Sequence, residues 1–391
     1  MTIPYGRQSI SESDIKAVSE VLGSDFLTQG PMVPKFEAAL ANRCGVKFAV
    51  AANSATSALH LACLAIGVKP GDRVWTSPIT FAASANCARY CGADVEFVDI
   101  DPKTYNLCPT RLEAKLAIAQ KNGTLPRVVI PVHLAGQSCD MSAIHKLANK
   151  YGFAIIEDAS HAIGGNYKNV PVGGCQYSDI TIFSFHPVKI ITTGEGGMAL
   201  TNDMRLANSM ARLRTHGISR DAAEMLSTPD GPWYYEQLEL GFNYRLTDIA
   251  AALGLSQFQR IDEFVAQRHE IAKTYDEVFT NTSIKRPWQH PDSFSAFHLY
   301  IARVDFASHG TTQKAVFDEL HAKGIMANLH YIPVYRQPYY EQFGYSHSDY
   351  PESEKYYAEA ISLPMYPDLS SDEQSFVAKT LLTAIGEASG L

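Results

Sequence analysis

Short apolar runs alternate with helical patterns through the first half of the chain, and this alternation restricts the fold more than any other feature. Residues 48–52, 73–76, 94–98, 127–132, 154–156 and 180–184 read as strands, separated by helical patterns such as the one over 142–151. Strands interleaved with helices predict an α/β layer fold built on a mostly parallel sheet. Ligands of such sheets gather at the carboxyl ends of the strands. The loops that follow these runs are therefore where chemistry is expected.

Two of those loops carry the relevant residue types. Ser-Phe-His-Pro-Val-Lys at 184–189 runs into Thr-Gly-Glu-Gly-Gly at 193–197, and the acidic turn Glu-Asp-Ala-Ser-His at 157–161 closes an apolar run. A lysine just beyond a strand, hemmed by aromatic and glycine residues, suits an amine that attacks the aldehyde of pyridoxal phosphate. The amine must be largely unprotonated, and burial lowers a lysine's pKa toward that state. Lys189 is the predicted nucleophile. Asp158, at the carboxyl end of its strand, is placed to meet a ring nitrogen. Held ionised there, it keeps a pyridinium protonated, so that the ring draws off the electrons of a carbanion. An aspartate after an apolar strand is by itself more often a helix cap or a salt-bridge partner; the lysine segment that follows favours the catalytic reading.

Two further segments complete a cofactor cradle. Val-Ala-Ala-Asn-Ser-Ala-Thr-Ser-Ala at 50–58 passes directly into an apolar helical pattern over 58–65. Small and hydroxyl residues before a helix leave amides and hydroxyls converging on one spot, with the positive end of the helix dipole behind them. That arrangement suits a phosphate, although an ordinary Ser/Thr cap has the same look. Phe81, in Thr-Ser-Pro-Ile-Thr-Phe at 76–81, follows a strand and opens a helix, where an aromatic side chain can stack on a flat ring or serve as a hydrophobic staple.

Taken together, these motifs resemble the DegT/DnrJ/EryC1/StrS family of nucleotide-sugar aminotransferases, pyridoxal-phosphate enzymes of the aspartate aminotransferase fold (fold type I). The resemblance runs over essentially the whole chain. It includes Leu-Thr-Gln-Gly at 27–30, the loop at 53–59, Val-His-Leu-Ala-Gly-Gln-Ser-Cys-Asp-Met at 132–141, the Asp158 turn, the Lys189 segment and Gly-Phe-Asn-Tyr-Arg-Leu-Thr-Asp-Ile at 241–249. Segments 5–9, 213–218, 231–236, 297–300 and 330–333 are similar to the branch of 4-aminotransferases in the pseudaminic acid pathway.

The resemblance implies roles residue by residue. Lys189 would carry the cofactor, Asp158 would pair with its pyridine nitrogen, and Phe81 would stack on its ring. Ser54, Ala55, Thr56 and Ser184 would hold the phosphate, while His161 stands where many relatives have glutamine, against the phenolic oxygen or ring face. Asn243 would reach the cofactor of the neighbouring subunit, which implies a homodimer with shared active sites. Tyr5, Leu27, Thr28, Gln29 and Gly30 would lie beside the sugar, and His330 and Tyr331 would close over it. Arg245 is expected either to contact an anionic group or to form a structural salt bridge with Asp248 or a neighbour. His133, before a glycine turn, would orient a backbone loop. The implied substrates are L-glutamate and a UDP-4-keto-6-deoxy-N-acetylhexosamine, aminated at C4. A C3- or C4-aminotransferase for another nucleotide keto-sugar and a non-catalytic cofactor-binding module are the competing readings. The intact set of lysine, aspartate and phosphate-loop residues weighs against the second of these, and the lysine weighs against a sugar dehydratase on the same scaffold.

Composition agrees with such an enzyme. A chain of 391 residues with 46% hydrophobic content can bury a large core and suggests two domains. We place a large cofactor-binding domain at 1–256 and a smaller C-terminal α/β domain at 257–391. They are joined by one long helix that starts at Thr247 and continues toward Val278. A formal net charge of −8 argues against nonspecific affinity for nucleic acid. Residues 1–5 lack the charged start and apolar core of a secretion signal, and no apolar run reaches the roughly 20 residues that span a membrane. The seven cysteines are scattered without zinc-ligand spacing, as in a reduced cytoplasmic protein with no metal.

Overall fold

The computed structural model describes residues 2–387. Its centre is a seven-stranded sheet in the order Phe48–Ala52, Gly197–Thr201, Ile180–Ser184, Ala154–Asp158, Val128–Ile130, Arg73–Thr76 and Asp94–Phe97. Only Gly197–Thr201 runs antiparallel to its neighbours; every other adjacent pair is parallel. Near-continuous apolar runs such as Ile180–Ser184 are buried throughout because helices cover both faces of a parallel sheet. Ile156 and Ile182 pack with Leu59 and Leu61 of the helix Ala55–Ile66 on one face, while Phe183 packs with Phe36, Leu40 and Phe264 on the other.

A second core lies in the C-terminal part. The antiparallel pair Tyr300–Arg303 and Ala360–Leu363 supports it, and Tyr275, Tyr300, Ile361 and Leu381 fill it. The start of the chain joins this core: Ile3–Pro4 pairs in parallel with Ile325–Met326, and Ile3 is buried among the same residues. The Met365 amide then donates to Tyr5 O at 2.9 Å, which fixes Tyr5 at the edge of the C-terminal unit.

Three local expectations change. The single long helix is two, Asp248–Phe258 and Ile261–Val278, because Arg260 leaves helical geometry at φ −107°, ψ 12°. The break re-aims the second helix so that Phe264 and Val265 enter the core under the sheet while Ile271 and Tyr275 enter the C-terminal core. Glu157 and Asp158 belong to the strand itself rather than to a turn after it. The strand expected over 127–132 is only Val128–Ile130, since Pro131 has no amide for the ladder. Among the described residues, no helix is long and apolar enough to cross a membrane.

Candidate active site

A cavity of about 820 Å³ opens at the carboxyl ends of the strands, between the sheet and the C-terminal unit. Tyr5, Ser54, Ala55, Thr56, Phe81, Asp158, His161, Ser184, Lys189, His330 and Tyr331 all line it. The strand register explains part of this convergence. Asp158 stands opposite Ile182, and Ser184 opposite Gly197, so the ends of three strands are level at the cavity rim.

Asp158 is buried and fully supplied with donors on one side. Its Oδ2 accepts from the Ser84 hydroxyl at 2.5 Å, and its Oδ1 accepts from the Ser160 amide at 3.1 Å and the Ser160 hydroxyl at 2.6 Å. These three hydrogen bonds fix the orientation of the carboxylate at the carboxyl end of its strand, facing the cavity.

Lys189 lies half-buried in the loop after Ser184, its amide donating to His186 O at 2.9 Å. Burial lowers the pKa of its ammonium to about 8, against the smaller opposing pull of Asp158. Roughly a tenth of the side chain is then the free amine at pH 7, far more than an exposed lysine supplies.

Ser54 caps the helix Ala55–Ile66. Its hydroxyl accepts from the Ser57 amide at 3.0 Å, and the Ser57 hydroxyl donates to Asn53 Oδ1 at 2.6 Å. Ala55 and Thr56 occupy the first turn, where amides lack intrahelical partners and the helix dipole is positive. The neighbouring strand approaches this turn closely. A Cβ on Gly197 would fall 2.5 Å from Ala55 N, so only glycine lets the strand pass beneath the turn.

The upper wall is aromatic. His161 Nδ1 accepts the Ala135 amide at 3.2 Å, which leaves the ring proton on Nε2, 3.1 Å from the Tyr331 hydroxyl. Burial, with the Lys189 ammonium nearby, holds His161 well below the usual histidine range, hence neutral. His330 is held at about 3 chiefly by burial, and its Nδ1 meets Ser362 Oγ at 2.9 Å. The Tyr5 ring lies 5.0 Å from that of His330. Phe81 is 62% exposed, with its ring 6.1 Å from that of Tyr331 across the opening.

Six expected residues are not brought to this cavity within the chain. Leu27, Thr28 and Gln29 are exposed, Gly30 donates its amide to Asp248, and Asn243 and Arg245 lie outside the lining. The alternative pairing of Arg245 with Asp248 is absent. The Asp248 carboxylate is buried and instead accepts from the amides of Gly30, Met32 and Val33, closing the turn before the helix Met32–Cys44. Conversely, Ser84, Ser160, His298 and Asn328 belong to the site or its support without having been anticipated. Ser160 had a local signal, since a serine two residues after an aspartate is an Asx-turn pattern. His298 had none.

The donor set fits pyridoxal phosphate: a lysine of lowered pKa, a fixed carboxylate and a capped helix start surround one cavity of suitable size. The chain matches the DegT/DnrJ/EryC1/StrS aminotransferase family over residues 8–382. It is 41% identical to the spore coat polysaccharide biosynthesis protein SpsC of Bacillus subtilis over 374 residues, covering 95% of this chain and 94% of that protein. It is 38% identical over 384 residues to a UDP-4-amino-4,6-dideoxy-N-acetyl-beta-L-altrosamine transaminase of Campylobacter jejuni, covering 98% and 97%. Among solved structures, Helicobacter pylori PseC, an aminotransferase involved in the biosynthesis of pseudoaminic acid, superposes with a TM-score of 0.89 at 32% identity, covering 98% of this chain and 99% of that one. The chain therefore belongs to the DegT/DnrJ/EryC1/StrS family and is a pyridoxal-phosphate-dependent sugar aminotransferase.

Proposed function

We propose that this aminotransferase moves the amino group of L-glutamate to C4 of a UDP-4-keto-6-deoxy-N-acetylhexosamine, UDP-2-acetamido-2,6-dideoxy-β-L-arabino-hexos-4-ulose, in pseudaminic acid biosynthesis. The observation that carries the chemistry is the convergence of Lys189, Asp158 and the Ser54 turn on one cavity. Similarity to the Campylobacter transaminase and to PseC supports the sugar. Bound pyridoxal phosphate supplies an electron sink for the carbanion at the reacting carbon.

The chain's own residues supply the rest. Lys189 Nζ takes the proton from the amino-bearing carbon of the donor and returns a proton in the second half of the cycle, acting as nucleophile and then as general acid and base. Asp158, fixed by Ser84 and Ser160, keeps a positive ring nitrogen paired. Ser54, Ala55, Thr56 and Ser184 hold the phosphate, Phe81 stacks on the ring, and His161 stands against the ring face or its phenolic oxygen. Tyr5, His330 and Tyr331 bound the sugar pocket.

The same reading includes a homodimer. Leu27, Thr28, Gln29 and Gly30, with Asn243 and Arg245, lie outside the chain's own cavity, and a second copy brings Asn243 to the cofactor of its neighbour and the remainder beside the sugar. Residues 1–256 then act as the cofactor-binding domain and 257–391 as the smaller domain that closes the pocket, in the cytoplasm where nucleotide sugars are made.

The 41% identity to SpsC favours a second reading, in which the same chemistry serves a different nucleotide keto-sugar. Incubation with glutamate and each of several nucleotide keto-sugars, with the aminated product assigned by NMR, separates the two. A 4-amino product from the UDP-4-keto-N-acetylhexosamine supports the first reading. Turnover confined to another sugar refutes it.

A further inference from the structure

Behind the strand end that bears Asp158 lies a buried pair that the reaction does not use. Successive side chains of a strand point to opposite faces, so Asp158 faces the cavity and Glu157 faces away. The Glu157 side chain is 8% exposed and accepts from His133 Nε2 at 2.7 Å, from Thr181 Oγ1 at 3.1 Å and from the Ser178 hydroxyl. Its three donors keep it ionised, below the usual carboxylate range despite the burial. His133 is wholly buried. Its Nδ1 accepts the Cys139 amide at 3.1 Å, so its ring proton lies on Nε2 and points at Glu157.

The same histidine also grips the strand through its backbone. The His133 amide donates to Asp158 O at 3.0 Å, and the Asp158 amide donates to Pro131 O at 2.9 Å. From this anchor the chain turns through Ala135, at φ 59°, in the left-handed region that favours glycine. That turn is what aims the Ala135 amide at His161 Nδ1. Gly136 follows at φ 105°, where a Cβ would lie 2.8 Å from Phe297 N, so the loop is wedged against the C-terminal unit as well. An ionised carboxylate buried this deeply is costly unless fully paired, and an apolar residue would fill the same space against the helices.

We propose that His133 and Glu157 are positioning residues: their buried hydrogen bond locks the 133–137 loop, whose Ala135 amide keeps the His161 proton on Nε2, facing the cavity, while the same anchor fixes the strand end at Asp158. The proposal rests on the roles given above to Asp158 and His161. Neither His133 nor Glu157 touches the cavity, so both act entirely through other residues. Asn106 and the backbone at 296 and 299 still brace the loop, so loss of the pair loosens its first residues and the aim of the Ala135 amide at Nδ1, and His161 then presents a less fixed Nε2–H. Asp158 retains its own serine donors, so cofactor binding survives.

The test compares Glu157→Gln and His133→Asn with wild type, each loaded with pyridoxal phosphate. Three quantities are read: the cofactor dissociation constant, kcat and KM separately, and the pH midpoint of the cofactor's visible absorption band. The proposal expects a dissociation constant within about threefold of wild type, kcat lowered about tenfold or more with KM nearly unchanged, and a midpoint displaced by about half a unit or more. Thr181→Val, which removes one donor to Glu157 at constant volume, is expected to shift the midpoint in the same direction by less, and it carries the test if the larger changes abolish folding. An unchanged midpoint and kcat in folded variants overturns the proposal, as does activity lost only in step with cofactor binding. A wild-type protein that shows no cofactor band at all contradicts the underlying site reading instead, so the two failures are told apart.

Discussion

His161 Nε2 lies 3.1 Å from the Tyr331 hydroxyl, so a side chain from the turn after the strand Ala154–Asp158 and a side chain of the C-terminal unit meet inside the cavity. Burial pushes the Tyr331 phenol up, so it stays protonated across the working pH range. Because His161 Nδ1 is already occupied by the Ala135 amide, the contact has one sense: Nε2–H donates and the phenol oxygen accepts. Tyr331→Phe removes the acceptor at nearly constant volume. The expected loss is about 1 kcal/mol, read as a roughly fivefold lower kcat/KM with an unchanged melting temperature.

Lys189 gives a pH dependence whose sign follows from its burial. Desolvation penalises the ammonium and lowers its pKa to about 8, and only the free amine attacks an aldehyde. Cofactor uptake by the cofactor-free protein should therefore accelerate as pH rises and level off above about 8. Stopped-flow absorbance over pH 6 to 10 measures this; a plateau already reached at pH 6 or deferred beyond 10 contradicts the assignment. Lys189→Arg should lower kcat by at least about 10³-fold, the middle of the range of about 10² to 10⁴ for a lost general acid and base.

Asp158→Asn tests the charge at the sheet edge. The amide keeps the volume but cannot hold a full negative charge against a ring nitrogen. We expect cofactor binding to persist while kcat falls roughly 10²-fold or more, measured in single-turnover absorbance with glutamate. Ser84→Ala removes the donor to Oδ2 and should reproduce a smaller part of the loss, about tenfold, consistent with about 1.5 kcal/mol for a hydrogen bond to a charged group.

Much of this was legible in local pattern. The strand Ile180–Ser184, the Ser54 cap and the glycine-rich segment before Thr201 each announce themselves within a few residues, because burial, capping and tight approach are local demands. The strand Gly197–Thr201 is not legible, because the glycine-rich motif that opens it reads as a loop around Lys189. The pairing of Ile3–Pro4 with Ile325–Met326 was also invisible: two short segments more than 300 residues apart leave no periodicity to read. Ser84 is a similar case. It sits in an ordinary helical stretch, and only the packing of the helix Ala83–Tyr90 under Asp158 makes it a donor. The break at Arg260 was hidden because the apolar pattern continues through it while the core being filled changes.

Gly197 tests the phosphate cradle without touching a polar group. An added Cβ meets the backbone of Ser54 and Ala55 at 2.5 Å, and backbone cannot step aside as a side chain can. Gly197→Ala should cost about 1–3 kcal/mol by overpacking and weaken cofactor binding tenfold or more. Fluorescence titration of the cofactor, beside a melting curve, separates the local effect from the global one.

The most direct test of the central claim is the visible absorbance of the purified, pyridoxal-phosphate-loaded protein on adding L-glutamate and then the UDP-4-keto-6-deoxy-N-acetylhexosamine. The site described here predicts that glutamate abolishes the cofactor's visible band, that the keto-sugar restores it, and that Lys189→Arg sustains no repeated cycle. A loaded wild-type protein whose band ignores glutamate, or a Lys189→Arg protein that turns over many times, contradicts it.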